Sequence, residues 1–213
     1  MTDPRAQQDE FRLRPFVVAS LVALVAAGLS VQALAGAGLG HGPRIRAMRP
    51  KADALVSAID RTHNFGHAHE LKIGSSPTLR SYVLFDVDLR SVEVQQVSLL
   101  LYSRTRSHAG YQVRLVGERW RERRITFANA PGVSPHFVLS GPLRAGAWKA
   151  VDVTSLVSGA KRRISFALTT ASAKGAAFAS RETGLHGPRL VVERQEDATT
   201  TSTTTDAETQ GRS

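Results

Sequence analysis

The stretch SYVLFDV, residues 81–87, decides the fold. Its side chains alternate with the period of two that a β-strand imposes, yet both sets are apolar: Tyr82 and Leu84 on one side, Val83, Phe85 and Val87 on the other. A strand wet on one face carries polar residues there, so this one is central and covered twice. VSLLLYS (97–103) has the same character. YQVRLVGE (111–118) sets Tyr111, Val113 and Leu115 against Gln112 and Arg114, and ISFALTT (164–170) sets Ile164, Phe166 and Leu168 against Ser165, Ala167 and Thr169. AAFASRE (176–182) and PRLVVERQ (188–195) complete the main set, with shorter candidates in DALVSAI near residue 55, ELKIG near 72 and HFVLSG near 138. Joints such as GSSP (74–77) and NAPGVSP (129–135) supply turns, and no long helical pattern intervenes. The expected fold class is an all-β sandwich.

WKAVDVTSLV, residues 148–157, changes period halfway. A strand through Asp152 gives way to a short apolar pair, Leu156 and Val157, ahead of Gly159. The reading is one helical turn with Thr154 as its N-cap, Gly159 as its left-handed exit, and the apolar pair folded over an open end of the sandwich.

Both ends of the chain differ from this middle. Residues 16–40, FVVASLVALVAAGLSVQALAGAGLG, hold no charge; as a helix they would span about 37 Å, more than a hydrocarbon core of roughly 30 Å. They read as a signal peptide or a transmembrane anchor: Ala33-Leu34-Ala35 has the form of a cleavage site, while the long charged leader, residues 1–15, favours retention. Arginines stand on both sides of the segment, so charge leaves its orientation open. Residues 41–50 read as a linker and 51–194 as the folded part. The threonine-rich stretch 195–213 has too little apolar surface to offset its chain entropy and is expected to be disordered. Cysteine is absent, which excludes disulfides and thiolate metal sites.

The order SYVLFDVDL, VSLLLYS, WRERRITFANAP, GAWKAVDVTSLV, ISFALTT, FASRE and GPRLVV resembles the DNRLRE-type domain, also classified as family 96 of the carbohydrate-binding modules. That family typically carries an Asn-(Tyr/Phe)-Gly loop, a Trp-x-Glu-x-x-(Ile/Val)-Thr-Trp segment, an Asp-Val-Thr-x-Leu-Val joint, a Phe-x-Ser-(Arg/Lys)-Glu strand and a closing Pro-x-Leu. Two departures stand out. Phe127 replaces the second tryptophan, and Val83-Leu84-Phe85 lacks the arginine that usually precedes the phenylalanine. The resemblance implies a jelly-roll-like β-sandwich, a non-catalytic module of exported and cell-surface proteins. It thereby places the domain on the extracellular face of the cell membrane, single-pass, or in secreted form.

Candidate chemistry falls in four places. Trp120, Arg121 and Glu122 join an aromatic ring to polar neighbours, as a sugar-stacking platform does, although a tryptophan near a strand end also reads as packed scaffold. His63, His67 and His69 lie within seven residues but lack a carboxylate at ligand spacing, so no metal is expected there. Asp53, Asp60 and Asp86 are oxygen donors of the type that holds a structural calcium in sandwich modules, without an Asp-x-Asp-x-Asp loop; otherwise no cofactor is expected. Ser180, Arg181 and Glu182 fall on alternating strand faces, Glu182 suiting an arginine pair. No nucleophile elbow, phosphate loop or paired-carboxylate signature supports catalysis.

Charge is the remaining clue. Residues 50–194 hold 21 Lys+Arg against 11 Asp+Glu, and the whole chain carries +10. A basic domain outside the cell meets acidic polysaccharide or another anionic wall polymer rather than nucleic acid. Lys72, Arg80, Arg104 and Arg114 occupy outward strand positions, and Arg119, Arg121, Arg123 and Arg124 form a run. The expected partner is therefore a polysaccharide, with the membrane as a second partner through residues 16–40. A structural or adhesive module without a glycan site is the alternative.

Overall fold

The computed structural model describes residues 44–89, 94–157 and 162–194. The apolar segment 16–40, Gly159 and the threonine-rich tail lie outside the described residues. Eleven strands follow in order: β1 (Arg44–Met48), β2 (Ala52–Ser57), β3 (Glu70–Ser75), β4 (Thr78–Asp86), β5 (Val94–Ser103), β6 (Gln112–Leu115), β7 (Val138–Leu139), β8 (Ala147–Asp152), β9 (Arg163–Thr169), β10 (Ala176–Ala179) and β11 (Arg189–Arg194). Every pairing is antiparallel.

One layer, sheet A, runs β1-β11-β5-β8, with β10 meeting β5 beyond the end of β11. The other, sheet B, runs β2-β4-β9-β6-β7. Strand β3 joins the two, pairing β10 on one side and β4 through a tight hairpin. The result is the expected all-β sandwich.

Alternation along each strand builds the core. Val83 and Phe85 of β4, Ile164, Phe166 and Leu168 of β9, Val97, Leu99 and Leu101 of β5, and Leu190 and Val192 of β11 meet between the sheets. The opposite face of β4 is also buried, as its double apolar pattern requires. Tyr82 and Leu84 enter a second core with Ala52, Ala54 and Val56 of β2.

Three local readings are corrected. The segment 41–50, read as a linker, contains β1, which pairs along β11 from Met48↔Leu190 to Arg44↔Arg194. Its exposed arginines hide the strand pattern. Strand β10 stops at Ala179, and Arg181–His186 turn as 3-10 helix, so Ser180, Arg181 and Glu182 do not alternate across a strand. The turn after β8, Thr154–Leu156, is present, but Val153 holds the N-cap position and no side chain caps it. Thr154 Oγ1 instead accepts the N–H of Val97 at 2.9 Å and donates to Asp152 Oδ1 at 2.6 Å. The hydroxyl so extends the β5–β8 ladder by one bond past the last strand residue. Leu156 and Val157 pack, partly buried, against the main core, as a plug would.

Candidate functional site

The two outer faces of the sandwich are treated differently by the chain. Over sheet B the connection from β6 to β7 lies as a lid: Val116, Trp120 and Ile125 are buried, and Phe127, Ala130 and Val133 pack beside them on the second core. Trp120 is 8% exposed, meets Tyr82 edge-on at 6.1 Å, and donates its indole N–H to Ser165 Oγ at 2.8 Å. It has no face to offer a sugar, because the lid turns it inward. The lid is clamped by Asn64, whose amide donates to the carbonyls of Glu122 (2.7 Å) and Ile125 (2.6 Å). Gly66 permits the approach: a Cβ there would sit 2.2 Å from the Glu122 carbonyl oxygen.

Where Glu122 of the lid meets β2 and the turn after β10 lies a carboxylate cluster. Ligand atoms of Asp53, Glu122 and Glu182 lie within 4.8 Å of one another, the one such group of three metal-binding side-chain types among the described residues. Asp53 is almost fully buried, and burial pushes its carboxyl up to about 8; the charges of Glu182 and Glu122 add to the rise, while the Arg181 N–H (2.8 Å) opposes it. The Asp53 N–H donates to Glu122 Oε1 at 2.9 Å. Arg181 sets its guanidinium 3.4 Å from Glu122 and 3.5 Å from Glu182, and also donates to the Lys51 carbonyl. A cation bound to these three carboxylates would compete with that guanidinium. His63, His67 and His69 are all exposed and form no such cluster, and His63 stacks on Phe65 at 4.4 Å. Asp60 stands apart on an exposed turn, and Asp86 pairs with Lys51 (2.6 Å) and Arg163 (3.0 Å), hydrogen bonding from Lys51 leading the drop in its pKa.

The sequence-derived cations scatter. Arg114 spends its donors internally, on Thr169 Oγ1, Gln112 Oε1 and the carbonyls of Ser134 and Pro135, with its plane over Phe137 at 4.4 Å. It ties the lid to sheet B rather than facing solvent with a free charge. Arg80 lies 5.4 Å from the Phe127 ring, which Arg61 also approaches at 5.0 Å. Arg121 is exposed on the lid, as are Arg119, Arg123 and Arg124. Lys72 and Arg104 are brought together around Glu70, at 3.1 and 3.6 Å, where β3 meets β10. By strand alternation both point out of sheet A.

Among the described residues no counterpart of that lid lies over the outer face of sheet A, where Leu100 and Val191 are nonetheless buried beneath Trp148, Ala150 and Ile45. Tyr102 of β5 and Trp148 of β8 are directly paired across the ladder and both partly buried, their rings edge to face at 5.6 Å. His186, from the turn after β10, packs tilted against Tyr102 at 4.2 Å and stands 6.3 Å from Trp148. The Arg189 guanidinium lies over Trp148 at 5.8 Å. Three ring systems and a cation thus converge on one face, Tyr102 lying two residues before Arg104 at the end of β5.

The family model described as Carbohydrate-binding module family 96 matches residues 45–194, from the start of β1 to the end of β11. The chain belongs to that family. No curated protein is similar enough to the chain to count as a relative. In this family-96 module the recurrent motifs prove architectural. Asn64-Phe65-Gly66 clamps the lid, Trp120 and Glu122 anchor it, and Arg181 ties Glu122, Glu182 and Asp53 together. The other cluster of rings and charge is built instead from Tyr102, Trp148, His186 and Arg189, none of which the motif reading singles out. Tyr102 and Trp148 carried a usable signal, since both occupy outward positions beside inward Leu101 and Val151. His186 and Arg189 join them only through the tertiary fold.

Proposed function

We propose that this family-96 module is a non-catalytic carbohydrate-binding domain displayed outside the cell, retained by residues 16–40 or released after their cleavage, and that it binds through the outer face of sheet A. The observation that carries the reading is the Tyr102–Trp148–His186 cluster, two partly buried rings beside an exposed imidazole, on the face opposite the lid. Aromatic faces stack on the C–H surfaces of sugar rings, and sheet-borne side chains hold that platform rigid. Lys72 and Arg104 beside it, on a chain of net charge +10, favour an acidic polysaccharide or another anionic envelope polymer.

The test is binding of the full chain to immobilised acidic and neutral polysaccharides, with Trp148→Ala beside it. Retention on acidic polymers, weakened by salt and at least tenfold by Trp148→Ala, supports the reading. Silence on every polymer rejects it. The adhesive alternative has one observation of its own: Phe137 and Leu139 stand exposed (43% and 61%) at the β7 edge, a surface suited to a protein partner.

A further inference from the structure

The outer face of sheet A holds a cation without an anion. Arg189, the x of the closing Pro-x-Leu, is 9% exposed and is the one buried cationic residue among those described. Arg181, by contrast, is matched by Glu122 and Glu182, and Lys72 and Arg104 by Glu70. Among the described residues the Arg189 guanidinium has only the Leu185 carbonyl, which accepts from Nη2 at 3.0 Å, and the face of Trp148. Its Nε is buried with no acceptor, and no carboxylate among the described residues pairs with it. Burial first and the charge of Arg49 second lower its pKa, so the charge that acts on it is that of another cation. A buried guanidinium without a counter-ion is costly, and such a cost persists where binding recovers it. Nε and Nη2 form the edge with which arginine grips an oxyanion in a two-bond fork, and here that edge is half used. The cover is thin: the Arg181–His186 turn, whose Leu185 and His186 are themselves exposed and whose Gly184 sits at φ 68°.

We propose that Arg189, with Arg49 beside it, is an anion subsite that takes the carboxylate or ester sulfate of an acidic sugar unit lying against Trp148. This rests on the binding reading above and adds the residue that tells acidic from neutral saccharide.

The experiment is calorimetry on the full chain with three probes: a polyuronate tetrasaccharide, the same tetrasaccharide with its carboxylates reduced to alcohols, and a neutral tetrasaccharide bearing ester sulfate. The wild type is expected to bind the uronate at least tenfold tighter than the reduced form. Arg189→Met should bring the two within about twofold while its Tm stays equal or rises, because a buried unpaired charge has been removed. Arg49→Gln, at an exposed position, should reduce the ratio severalfold without touching the fold. Sulfate matching uronate supports a subsite that reads charge, and sulfate binding no better than the reduced form supports one that reads the carboxylate. If acidic and reduced probes bind the wild type equally, or if both variants keep the tenfold ratio, the subsite is overturned and the saccharide reading stands. If no probe binds the wild type, the reading itself fails and the subsite with it.

Discussion

Trp120 and Trp148 are the chain's two tryptophans, and their surroundings assign them opposite work. Trp120 fills the second core and satisfies Ser165, so Trp120→Phe removes volume and strands a buried hydroxyl. It should cost about 2 kcal/mol in chemical denaturation and leave saccharide affinity unchanged; a lost affinity with intact stability would contradict this. Asp53 yields a prediction in pH. Its folded pKa of about 8 lies far above the ~3.9 of an unfolded aspartate, so the fold prefers the protonated form. The stability this preference contributes is fully present below about pH 4 and is lost as pH rises toward 8. Asp86, whose pKa is lowered, acts in the reverse sense and at lower pH, outside that window. Wild-type Tm should therefore fall between pH 5 and 8, and Asp53→Asn, a permanent mimic of the neutral acid, should fall less. Parallel melting curves for the two would refute the assignment.

Among elements, the lid shows what residue patterns conceal. A long connection without regular structure is usually a functional loop or disordered. This one is a wall, held by Asn64 and by side chains that point back onto β2 and β4. Gly66→Ala tests the clamp: the added carbon meets a backbone oxygen that cannot swing away, so a loss of about 3 kcal/mol is expected in urea unfolding. A variant as stable as wild type would mean that the lid docks otherwise. The same element explains which strands were readable. Strands β4, β5 and β9 announce themselves because apolar residues recur at every second position or at all of them. Strand β1 is an edge whose exposed Arg44 and Arg46 break that rhythm, and β10 ends where Arg181 must turn to meet three carboxylates. Pattern reads burial well and reads tertiary electrostatics not at all.

For the whole molecule the consequence is asymmetry. One outer face of the sandwich is sealed by the chain's own lid, and the other keeps an aromatic and cationic surface. The sandwich itself follows from strand alternation, and the motif resemblance leads to the right family. The candidate site was harder, because motifs mark what holds the lid, whereas Tyr102, Trp148, His186 and Arg189 come from four separate segments that only folding assembles. Of the six positions read as ligand contacts, Trp120 is walled in and Arg114 is tied internally, while Lys72 and Arg104 share the open face with the ring cluster. Two indole N–H groups, one on each side of the molecule, make that asymmetry measurable. An NMR titration of the full chain with a soluble polyuronate oligosaccharide should move the Trp148 indole resonance in a saturable way and leave that of Trp120 in place. A shift confined to Trp120, or saturable binding that moves neither indole, would contradict the account.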